Sequence, residues 1–283
     1  MIRIGEKNSF IVVRKSDLGY MLSNKDEQLL MHFNQANGQE LEINSMIECF
    51  VQYDSKGRIS ATLEEPTVTM SMPGWAKVVE VNARLGVFVS IGTFKDILIS
   101  KDSLPLNAKL WPEIDEMLYV KLTHNKGRLN AVLMTKNEII ELNPNVPNIT
   151  VGSRVNAVVV RTTPNAVNAI TLDDKTYIYI SNKQFRGTYH LGQEVDVMII
   201  GRHDDELVGS LNKIKEELVV DDEKIILDYL KAHDGMPYNA KTGAEEIEEV
   251  FHMSRKAFKR ALGDLYKKRE IYFEGENTYL NKK

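Results

Sequence analysis

The chain has 283 residues, of which 43% are hydrophobic and 27% charged, with a formal net charge of −4 and a single cysteine, Cys49. That composition is ordinary for a soluble globular protein and leaves room for about two to four small domains. It excludes an internal disulfide and a thiolate metal cluster, and no apolar run approaches the roughly 18 residues of a membrane-spanning helix.

The first residues, "MIRIGEKNSFIVV", contain only a short apolar run, too short for the core of a secretory signal, so the expected location is the cytoplasm. The six histidines include no pair at zinc-ligand spacing, and no cofactor is expected. The first 215 residues then read as β-structure: short runs rich in Val, Ile, Tyr and Phe alternate with polar residues and are punctuated by Gly, Asn and Asp. "GVFVSIG", "LYVKLTH", "TYIYIS" and "EVDVMIIG" are examples. Pro-containing links, "EEPTVTMSMPG" and "NPNVPN", divide this stretch into three units of similar size. Two of them end alike, "SKGRISATL" from Ser55 and "NKGRLNAVL" from Asn125, and such self-similarity at a fixed offset points to a duplicated unit. Its length suits a five-stranded closed barrel, which leaves no open edge.

From about residue 216 the period becomes helical. "DDEKIILDYLKAH" offers acidic caps and apolar pairs four apart; "TGAEEIEEVF" places Thr242 and Glu245 at capping-box spacing; "SRKAFKRALGDLYKKR" starts at a good N-cap, Ser254. "EIYFEGENTYL" then reads as a hairpin turning at "EGEN". Three helices and a hairpin outline a winged helix. The expected fold is multidomain and mainly β: barrels over 1–66, 67–138 and 148–215, then a C-terminal α/β winged-helix domain over 218–283.

The second unit, "WAKVVEV…LGVFVSIG…KDILISKDSLP…LYVKLTHNKGRLNAVL", resembles the RNA-binding domain named after ribosomal protein S-one, an OB-fold barrel. The resemblance assigns Lys77, Phe88, Ser100, His124 and Arg128 to that family's motif positions. Two motif positions depart from the pattern: Leu85 replaces an aromatic and Ser100 a histidine. The first unit keeps His32, Asp54 and Arg58, with Tyr20 or Met21 at the second-strand aromatic. The third is the most degenerate, with Glu206 where Arg128 would align, yet it keeps Tyr177 and Tyr179. Three such barrels followed by a winged helix are similar to the conserved virulence factor B family of bacterial RNA-binding regulators. That resemblance implies RNA binding tied to gene regulation, without catalysis.

The residues themselves support a single-strand site. In "GVFVSIG", Val87, Val89 and Ile91 share one face, which leaves Phe88 on the other as a platform for an unstacked base. By the same alternation Tyr177 and Tyr179 face outward while Ile178 and Ile180 face in. Arg58 and Arg128 lie beside a turn Gly, where a guanidinium can reach a phosphate or stack on a base. In the terminal domain Arg255, Lys256, Lys259 and Arg260 form a basic face opposite Phe258, Leu262 and Leu265, on the helix that in a winged helix enters a groove. That face either contacts nucleic acid or is neutralised by Glu245, Glu246, Glu248 and Glu249. Tyr177 and Tyr179 are further expected to share one composite site with these cations.

The expected partner is single-stranded RNA, with duplex nucleic acid a further possibility through the winged helix. A DNA-binding transcription regulator and a protein-interaction scaffold are the alternatives. No Walker loop, Rossmann fingerprint, H-E-x-x-H helix or nucleophile elbow occurs, so no enzyme activity, small-molecule substrate or membrane association is expected.

Overall fold

A computed structural model describes residues 1–25, 27–125, 127–144, 146–203, 206–212 and 215–281, with side chains omitted for 215–221. The chain opens with β1 (Lys7–Lys15), β2 (Gly19–Asn24), β3 (Glu27–His32), β4 (Met46–Tyr53) and β5 (Ile59–Thr62), closed in the order β1-β2-β3-β5-β4. The second barrel is β6 (Gly74–Asn82), β7 (Gly86–Ser90), β8 (Ile97–Ser100), β9 (Met117–Asn125) and β10 (Arg128–Leu133). The third is β11 (Arg154–Thr163), β12 (Ala166–Thr171), β13 (Tyr177–Ser181), β14 (Glu194–His203) and β15 (Glu206–Ser210). In each, the third strand runs parallel to the fifth and all other pairs are antiparallel. This is the expected OB-type barrel, three times over.

Alternation builds the interiors. Phe10 and Val12 of β1 are buried while Ser9 and Ile11 face out, and in β7 Val87 and Val89 are buried on either side of half-buried Phe88. The first strand of every barrel breaks register at the same place, between Val12 and Arg14, Val78 and Glu80, and Val159 and Arg161. The extra residue bends the strand, so one strand serves the second strand along part of its length and the fourth along the rest. Gly86 is required at the start of β7. Its φ is +130°, and a Cβ there would lie 2.0 Å from the carbonyl oxygen of Ile99.

The barrels of Met1–Leu211 form one compact unit and Asn212–Lys283 a second. Within the first unit, a helix absent from the sequence reading, α1 (Lys136–Leu142), follows β10. Thr135 caps it in a full capping box with Glu138. Its Ile139 is fully buried beside Tyr119, Met134, Ile170 and Tyr177, a small core outside the barrels. A Lys121 ion pair and bonds from Thr135 hold the Glu138 carboxyl at about 2. A carboxyl so depressed stabilises the fold above its ordinary value of about 4.3 and loses that contribution as pH falls towards 2. Glu138→Gln should therefore unfold earlier than the parent near pH 7, with the gap in thermal midpoint closing as the pH is lowered. A gap that stays constant from about pH 6 to pH 3 would show that this carboxylate contributes nothing.

The second unit holds α2 (Lys215–His233), α3 (Ala244–Phe251), α4 (Arg255–Lys267), β16 (Ile271–Glu274) and β17 (Asn277–Leu280), with Met236 bridging to Thr278. Ile226, Leu230, Ile247, Phe251, Phe258, Leu262 and Leu265 form its core. Three helices and a hairpin make the winged helix. Two details differ from expectation. Helix α2 begins at Lys215, ahead of the acidic pair taken as its cap. Helix α3 has Gly243 as N-cap and no capping box, because the Thr242 hydroxyl accepts instead from the N–H of Asn239 at 2.8 Å. Ser254 caps α4 as expected, accepting from the N–H of Ala257 at 3.2 Å.

Candidate nucleic-acid interface

The outer face of the second barrel is set by strand register. Phe88 on β7 lies opposite Leu98 on β8, and Leu98 opposite Asn130 on β10, so three side chains form a row across three strands. Arg128 opens β10 at the end of that row and is exposed. Among the described residues its guanidinium has no ion pair. This face does not stand alone. Turn 54–57 of the first barrel faces it across a groove of about 500 Å³, whose lining includes Gln52, Lys56, Phe88, Lys95 and Arg128. Gly57 and Gly127 line it as well. The two Lys-Gly-Arg turns, so far apart in sequence, therefore border one groove; Lys126 of the second turn lies outside the described residues.

The contacts around the groove separate anchoring groups from available ones. The Asp54 carboxylate accepts from the N–H groups of Lys56 and Arg58 at 2.8 and 2.9 Å, and pairs with the Arg58 guanidinium at 2.7 Å. Burial alone would raise this carboxyl, but those bonds hold it below the usual range. Asp54 is thus spent on shaping the turn, and Arg58 folds back onto it outside the groove lining. Lys95 donates to the Asp54 carbonyl at 2.8 Å; burial, reinforced by Arg128, pushes its ammonium below the usual lysine range. His124 is exposed and stacks on Tyr53 of the first barrel, with ring centroids 5.8 Å apart and a 3.1 Å hydrogen bond.

The other expected residues are scattered. Lys77 pairs with Asp115 at 2.7 Å. His32 is half-buried at the end of β3. Tyr20 faces the first barrel's core, where its hydroxyl accepts from the Leu41 N–H at 3.2 Å, and Met21 takes the outer position. The expectation for Tyr177 is corrected. Ile178 and Ile180 do point inward, but Tyr177 is only 3% exposed, because α1 covers that side of the third barrel. The Lys136 ammonium lies 5.4 Å from the Tyr177 ring centroid and 2.7 Å from Glu206, the residue that opens β15 as Arg128 opens β10. Tyr177 therefore offers no face to a base. Tyr179 remains half-buried.

In the second unit Arg255, Lys256, Lys259 and Arg260 are all exposed. Arg260 pairs with Asp222 at 3.1 Å, and Arg255 donates to the Lys241 carbonyl at 3.2 Å. Lys256 and Lys259 have no ion pair among the described residues. The acidic partner comes from α2 rather than from the α3 glutamates. Sequence reasoning also missed aromatics here: Tyr266, Tyr272 and Phe273 are at least 40% exposed, and Tyr266 and Phe273 lie 5.3 Å apart. It missed Gln52 and Lys95 too, although a glutamine ending the apolar run "CFV" was a visible signal.

Comparison with known proteins agrees with this architecture. Residues 4–64 match the S1 domain family, residues 74–132 the CvfB first S1-like domain, and residues 224–280 the CvfB-like winged helix domain. A solved structure from Streptococcus pneumoniae, described as a multidomain protein with nucleic acid binding domains, is similar over 98% of both chains at 26% identity and a TM-score of 0.66. The uncharacterized protein YitL of Bacillus subtilis is 31% identical over 99% of this chain and 95% of its own. Conserved virulence factor B of Staphylococcus aureus strain USA300 is 30% identical over 86% of this chain and 82% of its own. With its first two barrels and its winged helix matched in order and a 30% identical relative covered over most of its length, the chain belongs to the conserved virulence factor B family.

Proposed function

We propose that this protein binds single-stranded RNA in the cytoplasm and regulates bacterial gene expression through that binding, without chemistry of its own. The observation that carries the reading is the Phe88–Leu98–Asn130 row, ending in Arg128, which has no ion pair among the described residues, and facing a second basic turn. A half-buried aromatic beside exposed cations offers a stacking surface and a phosphate contact together, which is what a single strand needs. The family membership, and the description of the Streptococcus neighbour as carrying nucleic acid binding domains, support it. The net charge of −4 does not oppose it, because local charge distribution governs such contacts.

The test is a competition among single-stranded RNA, single-stranded DNA and duplex DNA, labelled RNA being displaced at several salt concentrations. RNA should compete best, and log affinity should fall with log salt at about −0.7 per phosphate neutralised. Unmeasurable binding of mixed oligoribonucleotides at about 50 mM salt, where charge attraction is least screened, would end the RNA reading. Exposed Lys256 and Lys259 on α4 favour duplex contact as a second reading, which duplex DNA outcompeting RNA would select.

A further inference from the structure

Between the second and third barrels lies a cavity of about 460 Å³. Leu104, Leu133, Met134, Val160 and Leu191 give it an apolar wall. Three consecutive residues of β11, Val160, Arg161 and Thr162, line it, which a regular strand would not allow; the register break between Val159 and Arg161 defeats alternation there. The connection from β13 to β14 is tied to the second barrel. The Leu191 N–H donates to the Leu110 carbonyl at 3.0 Å, and His190 Nε2 meets the Glu116 carboxylate at 2.8 Å.

The charged residues of the lining are Lys136 and Arg161, both basic. Lys136 is committed, since Glu206 neutralises its ammonium and holds it over the Tyr177 ring. Arg161 is exposed and has no ion pair among the described residues. Tyr177 is only 3% exposed, yet its hydroxyl has no hydrogen-bond partner among the described residues. Unlike the Thr162 hydroxyl in the same wall, it is not sealed from solvent. Burial, with the Glu206 carboxylate nearby, raises the pKa of the Tyr177 hydroxyl and keeps it an O–H donor; the Arg161 guanidinium is close enough to oppose them. An unused donor therefore stands beside an unused guanidinium at the edge of an apolar cavity.

These walls select their occupant. With Lys136 on the Tyr177 ring, no aromatic face is open to a base, and the apolar wall suits neither ribose nor a phosphate chain. One uncompensated positive charge matches a carboxylate better than a phosphate monoester, which carries about −1.5 to −2 at neutral pH. A guanidinium fork takes both carboxylate oxygens, and the phenol adds a further hydrogen bond. The volume is within the range of about 300–1,000 Å³ for small-ligand pockets.

We propose that this cavity binds a small apolar carboxylate, its head held by Arg161 and the Tyr177 hydroxyl and its body against Leu104, Met134, Val160 and Leu191. The inference is independent of the single-strand reading, because the cavity shares no residue with the groove around Phe88.

The experiment is a saturation-transfer NMR titration of the full-length protein with octanoate and with octanol, its uncharged counterpart. Octanoate should bind saturably and at least about tenfold more tightly than octanol, the scale of a hydrogen-bonded charge. Arg161→Gln, on an exposed residue, should bring octanoate down to the level of octanol and leave octanol unchanged. Tyr177→Phe, which removes only the hydroxyl, should weaken octanoate several-fold. Absence of saturable octanoate binding, equal binding of octanoate and octanol, or unchanged octanoate affinity in Arg161→Gln would each overturn the proposal. If Tyr177→Phe does not fold, the Arg161→Gln titration decides.

Discussion

Phe88→Ala should weaken binding of a single-stranded oligoribonucleotide by about 1–3 kcal/mol, the range for a base stacked on an aromatic. The thermal midpoint should barely move. Phe88 stands on the outside of the barrel between buried Val87 and Val89, and its ring is half-exposed to the groove. Its removal leaves the interior of Val78, Val89, Ile99 and Val120 untouched. The measurement pairs a binding titration with a melting curve for the same variant. Normal RNA affinity with unfolding several degrees earlier would identify Phe88 as a packing residue between the first two barrels.

Gly86→Ala, two residues away, should do the opposite. The φ of +130° belongs to a region that side-chain-bearing residues adopt only under strain, and the added Cβ would meet the Ile99 carbonyl at 2.0 Å. No flexible side chain can yield there, since the obstacle is the main chain of β8. The expected cost exceeds about 3 kcal/mol, beyond the ordinary range for a point substitution. Chemical denaturation would register it as a lower midpoint. A loss under about 1 kcal/mol would mean that the start of β7 can shift away from β8, which the closed barrel does not allow. Together the two variants separate the surface that binds from the backbone that presents it.

Much of this architecture could be read from the chain. Period-2 alternation identified the barrel strands, the change of period marked the terminal domain, and the inward assignment of Val87, Val89, Ile178 and Ile180 held. Helix α1 escaped because its seven residues, "KNEIIEL", are shorter than the windows in which helical periodicity can be judged. The start of α2 was misplaced because capping preference is a weak prior beside tertiary packing.

The sequence by itself determined which side of each strand faces a barrel interior, because the two-residue repeat of a strand is a local property. It also determined that the Lys-Gly-Arg turn occurs twice, since turn chemistry is carried by neighbouring residues. What lies over the outer side of a strand is decided by segments distant in the chain. Outward by alternation, Phe88 faces an open groove while Tyr177 lies buried under α1 and Lys136. The same long-range packing joins the two turns across one groove, whereas the pairing of Asp54 with Arg58 is made within a single turn. Burial and pairing depend on which surfaces meet, and only the folded arrangement of the barrels specifies that.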